Sequence, residues 1–174
     1  HDITMKIIAE RRASGEDKGD LLSMLLLAES EDGERMTDVQ VRDEALTIFL
    51  AGHETTANAM TWTFYLLSQH PDVEARLYDE VTRVLNGRAP TLADMPHLTY
   101  TEQVIKESMR LYPPAWSFAR SAREDFEAGG YLLPKYSTIV MIPYVIHRDP
   151  RWFNAPETFD PERFSPENEP NIPR

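Results

Sequence analysis

The stretch from Thr37 to His70, TDVQVRDEALTIFLAGHETTANAMTWTFYLLSQH, carries no proline and decides the fold class. Thr37 is placed to cap free helix amides, and Gln40, three residues on, can reach back to close a capping box. No helix breaker follows until Pro71, so the pattern predicts one helix of about 30 residues, or ~45 Å. Its middle, Ala45 to Ala51, is apolar nearly all round except for Thr47. That predicts a helix buried in the centre of a domain.

Outward from this helix, proline divides the chain. None occurs before Pro71, and ten of the thirteen lie between Pro113 and Pro173. The front is therefore expected to be helical and the back to hold strands, turns and coil, a mainly α chain. Residues 2–12 read as the end of a helix and Leu21 to Glu29 as a short one, with a charged loop from Ser30 to Met36. Pro71 opens a further helix, where its missing amide costs nothing, and Asn86-Gly87 stops it. Thr99 with Glu102 predicts a second capping box, opening a helix that closes before Pro113-Pro114. Gly129-Gly130 marks a turn and Ser137 to Ile142 a strand. Beyond His147, Trp152, Phe153, Phe159 and Phe164 sit among prolines and charges, as coil held by aromatic anchors.

Composition limits the function. Among 174 residues, 18 basic and 29 acidic side chains give a net charge of −11, and there is no cysteine. The acidic balance argues against a nucleic-acid or anionic-membrane partner. Without cysteine these residues offer no disulfide, thiolate ligand or thiol nucleophile. A hydrophobic content of 41% is that of a folded chain. The apolar runs fall short of the roughly 20 residues that span a bilayer, and a cytoplasmic location is the expectation.

Three groups of residues stand out. Ala51-Gly52-His53-Glu54-Thr55-Thr56 spends a glycine, about 1 kcal/mol against alanine, inside a long helix. The glycine can admit a ligand or a close helix; Glu54 can face solvent, form a salt bridge or serve chemistry. The Thr55 hydroxyl can bond to the carbonyl one turn back or face a ligand. His53-Glu54 begins like a His-Glu-x-x-His zinc motif, but residue 57 is alanine, and His1, His70, His97 and His147 have no ligand spacing, so no metal ligands are assigned. Glu107 and Arg110 share a helix face. Such a pair, if partly buried, wants a third polar partner, for which Arg163 is a candidate. Arg120 and Arg123 precede Asp125 and can either hold an anion or lie on the surface. His147-Arg148-Asp149-Pro150 reads as a turn without chemistry of its own. Phosphate-loop, dinucleotide and serine-hydrolase motifs are absent.

Taken together, four of these segments in order resemble the cytochrome P450 family: AGHETT at 51–56, ESMRLYPP at 107–114, HRDP at 147–150 and FDPERF at 159–164. The resemblance implies a partial P450 fold with a long central I helix over residues 38–68, a K helix, a small β segment and a meander coil. It implies one domain's internal fragment, helical over 1–112 and β plus meander over 113–174. Glu54 and Thr55 match the acid–alcohol pair that delivers protons to dioxygen. Ala51, Gly52 and Thr55 match haem-facing positions, and Arg120 a haem-propionate arginine. Phe49, Ala51, Trp116, Ser117 and Phe118 match substrate-lining positions, and Glu107, Arg110 and Arg163 a structural network. The implied activity is a haem-thiolate monooxygenase acting on a small organic substrate with O₂ and an electron donor, either a ferredoxin or a flavoprotein reductase, separate or fused.

Two departures qualify that expectation. The family's iron is held by a cysteine soon after the meander, which is expected beyond residue 174, so the chain is read as a fragment inactive alone. Tyr136 stands in a turn where the family usually has glycine. The alternative reading is a non-catalytic acidic helical interaction module. A helix built to be covered on all sides also exposes apolar surface in a fragment, which is expected to make the isolated chain poorly soluble or molten.

Overall fold

The computed structural model describes residues 2–172, and two compact units divide at Thr55 and Thr56, within one continuous helix. His1, weighed above as a ligand, and Pro173 and Arg174 lie outside the described residues.

The first unit holds α1 (Asp2–Ser14), α2 (Leu21–Leu27) and the front of α3 (Asp38–Gln69). Ile8, Leu26 and Val41 bury together, with Met5, Leu22, Leu25 and Met36 against them. Asp20 caps α2 by accepting from the Ser23 amide at 2.9 Å. Arg11 forks onto the same carboxylate at 2.7 and 2.8 Å and holds its pKa well below the usual range. Helix α2 ends at Leu27, not at Glu29, because Glu29 turns into a β-bridge with Arg35 and accepts from its guanidinium at 2.7 Å. Thr37 and Gln40 form the reciprocal cap, with Thr37 N donating to Gln40 Oε1 at 2.9 Å and Gln40 N to Thr37 Oγ1 at 3.3 Å. The resulting helix has 32 residues.

The expectation that Ala45 to Ala51 is buried does not hold in this structure. Phe49 is 63% and Leu50 69% exposed, and Leu46 and Ile48 are exposed as well. The apolar-all-round pattern describes a helix that needs partners on every side, and the described residues do not supply them.

In the second unit the rest of α3 meets α4 (Pro71–Leu85) and α5 (Thr99–Leu111). Leu66, Leu67, Val73, Tyr100, Val104, Leu111 and Phe159 form its core. Asn86 takes a left-handed φ of 48°, and its amide donates to the Thr82 carbonyl, ending α4. Trp62 stacks on Tyr112 at 4.2 Å, and Thr63 Oγ1 lies 2.8 Å from Ser108 Oγ, joining α3 to α5.

The expected Thr99–Glu102 box does not form. Leu98 is the N-cap, and the buried Glu80 of α4 takes over the task. Its carboxylate accepts from the Tyr100 and Thr101 amides and the Thr101 hydroxyl, each at 2.8 Å, and from the Thr99 hydroxyl at 3.3 Å. Burial alone would raise the Glu80 pKa, but these four donors outweigh it and hold it below the ordinary value.

After α5 the chain is short strands and turns. β1 (Phe118–Ser121) pairs antiparallel with β4 (Thr138–Met141), from Phe118↔Met141 to Ser121↔Thr138. β2 (Phe126–Ala128) and β3 (Tyr131–Leu133) make a hairpin around Gly129-Gly130, both at positive φ. Between β3 and β4, Ser137 N bonds to Pro134 O at 3.0 Å and Tyr136 adopts φ 69°, a conformation that favours glycine. α6 (Pro143–Ile146) and two 3-10 turns, Pro161–Phe164 and Glu169–Asn171, complete the unit. Phe153 and Phe159 are buried as anchors, but Trp152 is 54% exposed and Phe164 only half-buried. Among the described residues no helix is long and apolar enough to cross a membrane.

Two outcomes follow from these contacts. The isolated 174-residue chain should self-associate and bind a hydrophobic dye, because Phe49 and Leu50 lie exposed; a soluble monomer with a sharp unfolding transition would contradict this. Glu80→Ala should cost about 2 kcal/mol and speed exchange of the Tyr100 and Thr101 amides. Because the folded pKa of Glu80 is depressed, its contribution is full above the unfolded value and is lost as pH falls through the folded one. Urea midpoints against pH check the sign.

Candidate functional site

Helix α5 turns Tyr100, Val104, Ser108 and Leu111 into the core, and the same burial takes in Glu107, at 0% exposure, and Arg110, at 3%. Two buried charges on one helix face are tolerable only if every donor and acceptor is used. Arg110 places all five of its N–H groups. Nε donates to Glu107 Oε2 at 2.7 Å and Nη2 to Oε1 at 2.9 Å. Nη1 donates to the carbonyls of His147 at 2.7 Å and Pro156 at 2.8 Å, and Nη2 to that of Thr158 at 3.2 Å. Glu107 Oε1 also accepts from the Asp160 amide at 3.0 Å and from Arg163 Nε at 3.4 Å. Arg163 donates on to the carbonyls of Asn154 and Ala155. The coil from His147 to Arg163 is thus held by hydrogen bonds to two helix side chains. The structure brings Glu107, Arg110 and Arg163 together.

A separate set lies on α3 in the first unit. Thr55 Oγ1 donates to Ala51 O at 2.6 Å, one turn back. Thr47 does the same to Asp43 O at 2.7 Å, so the bond itself is ordinary for a helical threonine. Gly52, one turn before Thr55, is exposed, and a Cβ built on it meets no atom within 4 Å, as is true of every glycine in the chain. The helix runs through this stretch without a break. Glu54 is exposed and makes no hydrogen bond or ion pair with the described residues, and His53 stacks on Phe49 at 5.7 Å.

In the second unit, Trp116 is 60% exposed and lines a groove of about 580 Å³ with Trp62, Tyr112, Pro113, Ile142, Tyr144 and Val145. Ser117 is half-buried, and Phe118 starts β1 on the surface. Arg120 is exposed; its guanidinium donates to Ala119 O at 2.9 Å and lies 5.4 Å from the Phe118 ring, without a carboxylate partner among the described residues. Three contributors were not read from the motifs: Glu80, the Thr63–Ser108 pair and His147. For Glu80 there is no local signal, since its partners lie 20 residues on. For His147 there is one, in the two prolines that follow α5.

The family model for cytochrome P450 matches residues 1–174. The chain belongs to the cytochrome P450 family. It is 46% identical over 171 residues to cyclooctatin synthase of Streptomyces melanosporofaciens, covering 97% of this chain and 37% of that protein. It is 40% identical over 174 residues to pentalenene oxygenase of Streptomyces avermitilis, covering 100% of this chain and 39% of that protein. The solved haem domain of cytochrome P450DA superposes with a TM-score of 0.88 at 33% identity, over 98% of this chain and 38% of that one. The chain therefore spans less than two-fifths of the length of these P450 relatives. In P450 terms α3 corresponds to the I helix, α5 to the K helix and the coil after His147 to the meander.

Haem is the family's cofactor, and the residues present fit it in part. On α3 the exposed small residues Ala51 and Gly52 leave the helix surface beside Thr55 uncovered; taken by itself, Arg120 has no carboxylate partner among the described residues and is of the right chemistry to pair with one. The axial thiolate is not among these residues, which contain no cysteine.

Glu107→Ala should leave the buried Arg110 charge without its partner and cost about 4 kcal/mol. Arg163→Ala removes the longest of the Glu107 contacts, at 3.4 Å, and should cost about 1 kcal/mol. Equilibrium unfolding of the full-length protein measures both, and equal losses would contradict the ranking.

Proposed function

We propose that this chain belongs to a longer haem-thiolate monooxygenase, one that inserts one oxygen atom of O₂ into a small organic substrate and needs a cysteine-bearing segment beyond these residues to be active. The overall reaction consumes substrate, dioxygen, two electrons and two protons, and releases hydroxylated product and water. Haem, when bound, supplies the activation of dioxygen and the oxidising power.

The observation that carries this reading is the Thr55 hydroxyl, bonded to Ala51 O one turn back on α3 beside the exposed Gly52. Its proton is committed to the Ala51 carbonyl, so its oxygen is left to accept a hydrogen bond from a water or another donor at that face. Glu54, the next residue and exposed, can exchange protons with solvent and pass them towards that water. Ala51 and Gly52 hold the helix surface low enough for the cofactor, and Arg120 offers a fork for a propionate. Each of these roles is supported by residue type and position.

For the substrate, Phe49, Ala51, Trp116, Ser117 and Phe118 are the proposed contacts, nearly all apolar or aromatic. Two relatives carry the names pentalenene oxygenase and cyclooctat-9-en-7-ol 5-monooxygenase. Both the side chains and those names favour a hydrocarbon-rich substrate. The electron donor is a ferredoxin or a flavoprotein reductase.

Thr55→Ala in the full-length, haem-loaded protein tests the proton-handling role. Substrate-dependent electron consumption should persist while product per electron falls about tenfold or more and peroxide rises, and Thr55→Ser should restore much of the coupling. Unchanged coupling in the alanine variant would remove Thr55 from the mechanism. The thiolate is tested separately, by the Soret shift of the reduced carbon monoxide complex.

A further inference from the structure

Helix α5 ends at a double proline, and that has a cost at Arg110. The last carbonyls of a helix have no partner within it and commonly borrow an amide from the residues three or four on, just past its end. For Arg110 those residues are Pro113 and Pro114, neither of which has an N–H. The backbone oxygen of the residue whose side chain completes the buried ion pair is therefore left without a helical donor. In the structure His147 Nδ1 lies 3.2 Å from that oxygen. In return Arg110 Nη1 donates to the His147 carbonyl at 2.7 Å. The two residues clamp each other, side chain to backbone in both directions, across 37 residues of sequence.

The geometry points to His147 as a positioning residue: as the neutral Nδ1–H tautomer it caps the carbonyl orphaned by Pro113-Pro114 and so sets the Arg110 guanidinium against Glu107 and the coil. A carbonyl can only accept, so the ring nitrogen facing it carries the hydrogen. Three features keep the ring in place. It stands at the C-terminus of α6, with its amide bonded to Pro143 O at 2.8 Å. Its ring meets Phe153 edge-on at 6.0 Å, and Phe153 is itself buried beneath the Arg110 guanidinium. Burial pushes the imidazole pKa below its usual value; the Arg110 carbonyl opposes this, and the charges of Arg110 and Arg148 reinforce it. The ring is then neutral at neutral pH and one tautomer must be chosen. Nε2 has no partner among the described residues and keeps the lone pair.

This inference does not depend on the oxygenase reading, because it concerns a network present whatever the chain's chemistry. The test uses the full-length protein labelled with ¹⁵N at histidine and arginine. The His147 ring should show a protonated Nδ1 and an unprotonated Nε2, and a ring protonated at Nε2 would overturn the proposal without any variant being made. Among variants, His147→Asn puts an N–H at the δ position and His147→Gln puts one a carbon further out, while His147→Leu has none. Exchange of the Arg110 Nε–H should stay within about threefold of the parent in the asparagine variant and rise about tenfold or more in the glutamine and leucine variants. Equal exchange in the asparagine and leucine variants would show that packing, not the Nδ1 donor, holds the arginine.

Discussion

Glu107 and Arg110 sit where an unpaired charge would cost several kcal/mol, on a helix whose other inward residues are uncharged. Most of what the second unit does follows from satisfying them. A carboxylate accepting from two arginines and an amide, and a guanidinium with all five donors used, draw in backbone from His147, Pro156, Thr158 and Asp160. That chain has little regular structure beyond local turns, and these side chains take up carbonyls and an amide that the turns leave open. The ion pair substitutes for secondary structure, and the aromatic anchors Phe153 and Phe159 fill the space beneath it.

The same logic reaches the ends of the helices. α5 starts on a carboxylate borrowed from α4 and stops at two prolines, with a histidine from the following coil facing the carbonyl they leave open. At both ends a side chain from another segment takes up backbone groups that local residues leave open, beside the Tyr112 amide that bonds to Ser108 O at 2.8 Å. A helix terminated in this way is only as ordered as its neighbours, which couples α4, α5 and the coil into one structural unit. The α3 surface around Gly52 and Thr55 contrasts with this. Its local geometry is complete, yet its apolar surroundings are bare. The stretch Ala45 to Ala51, apolar nearly all round, in a chain covering 37% of one relative and 39% of another, is a surface made to be covered.

Local order was legible wherever the signal is short-range. The Thr37–Gln40 box, Pro71 at a helix start, Asn86-Gly87 at its end and the Gly129-Gly130 turn each depend on residues within a few positions of one another. The Thr99–Glu102 box failed although its pattern is equally good, because the helix starts one residue earlier, with Leu98 as N-cap, and Glu80 from another helix takes the Tyr100 and Thr101 amides. Strands β1, β2 and β3 were missed because three or four residues with no buried face carry no distinctive alternation.

By itself, then, the sequence determined the mainly helical class, the long proline-free α3, the pairing of Glu107 with Arg110 on one face and, through four motifs in order, the family. Only the tertiary structure decided how deep that pair lies, which backbone groups complete it, that Arg163 approaches Glu107 to 3.4 Å, and that His147 faces the Arg110 carbonyl. Spacing along a helix fixes which side chains share a face, since that is a property of the helix alone. Which partner satisfies a buried charge depends on which distant segment arrives with the right atom, and no local pattern carries that information.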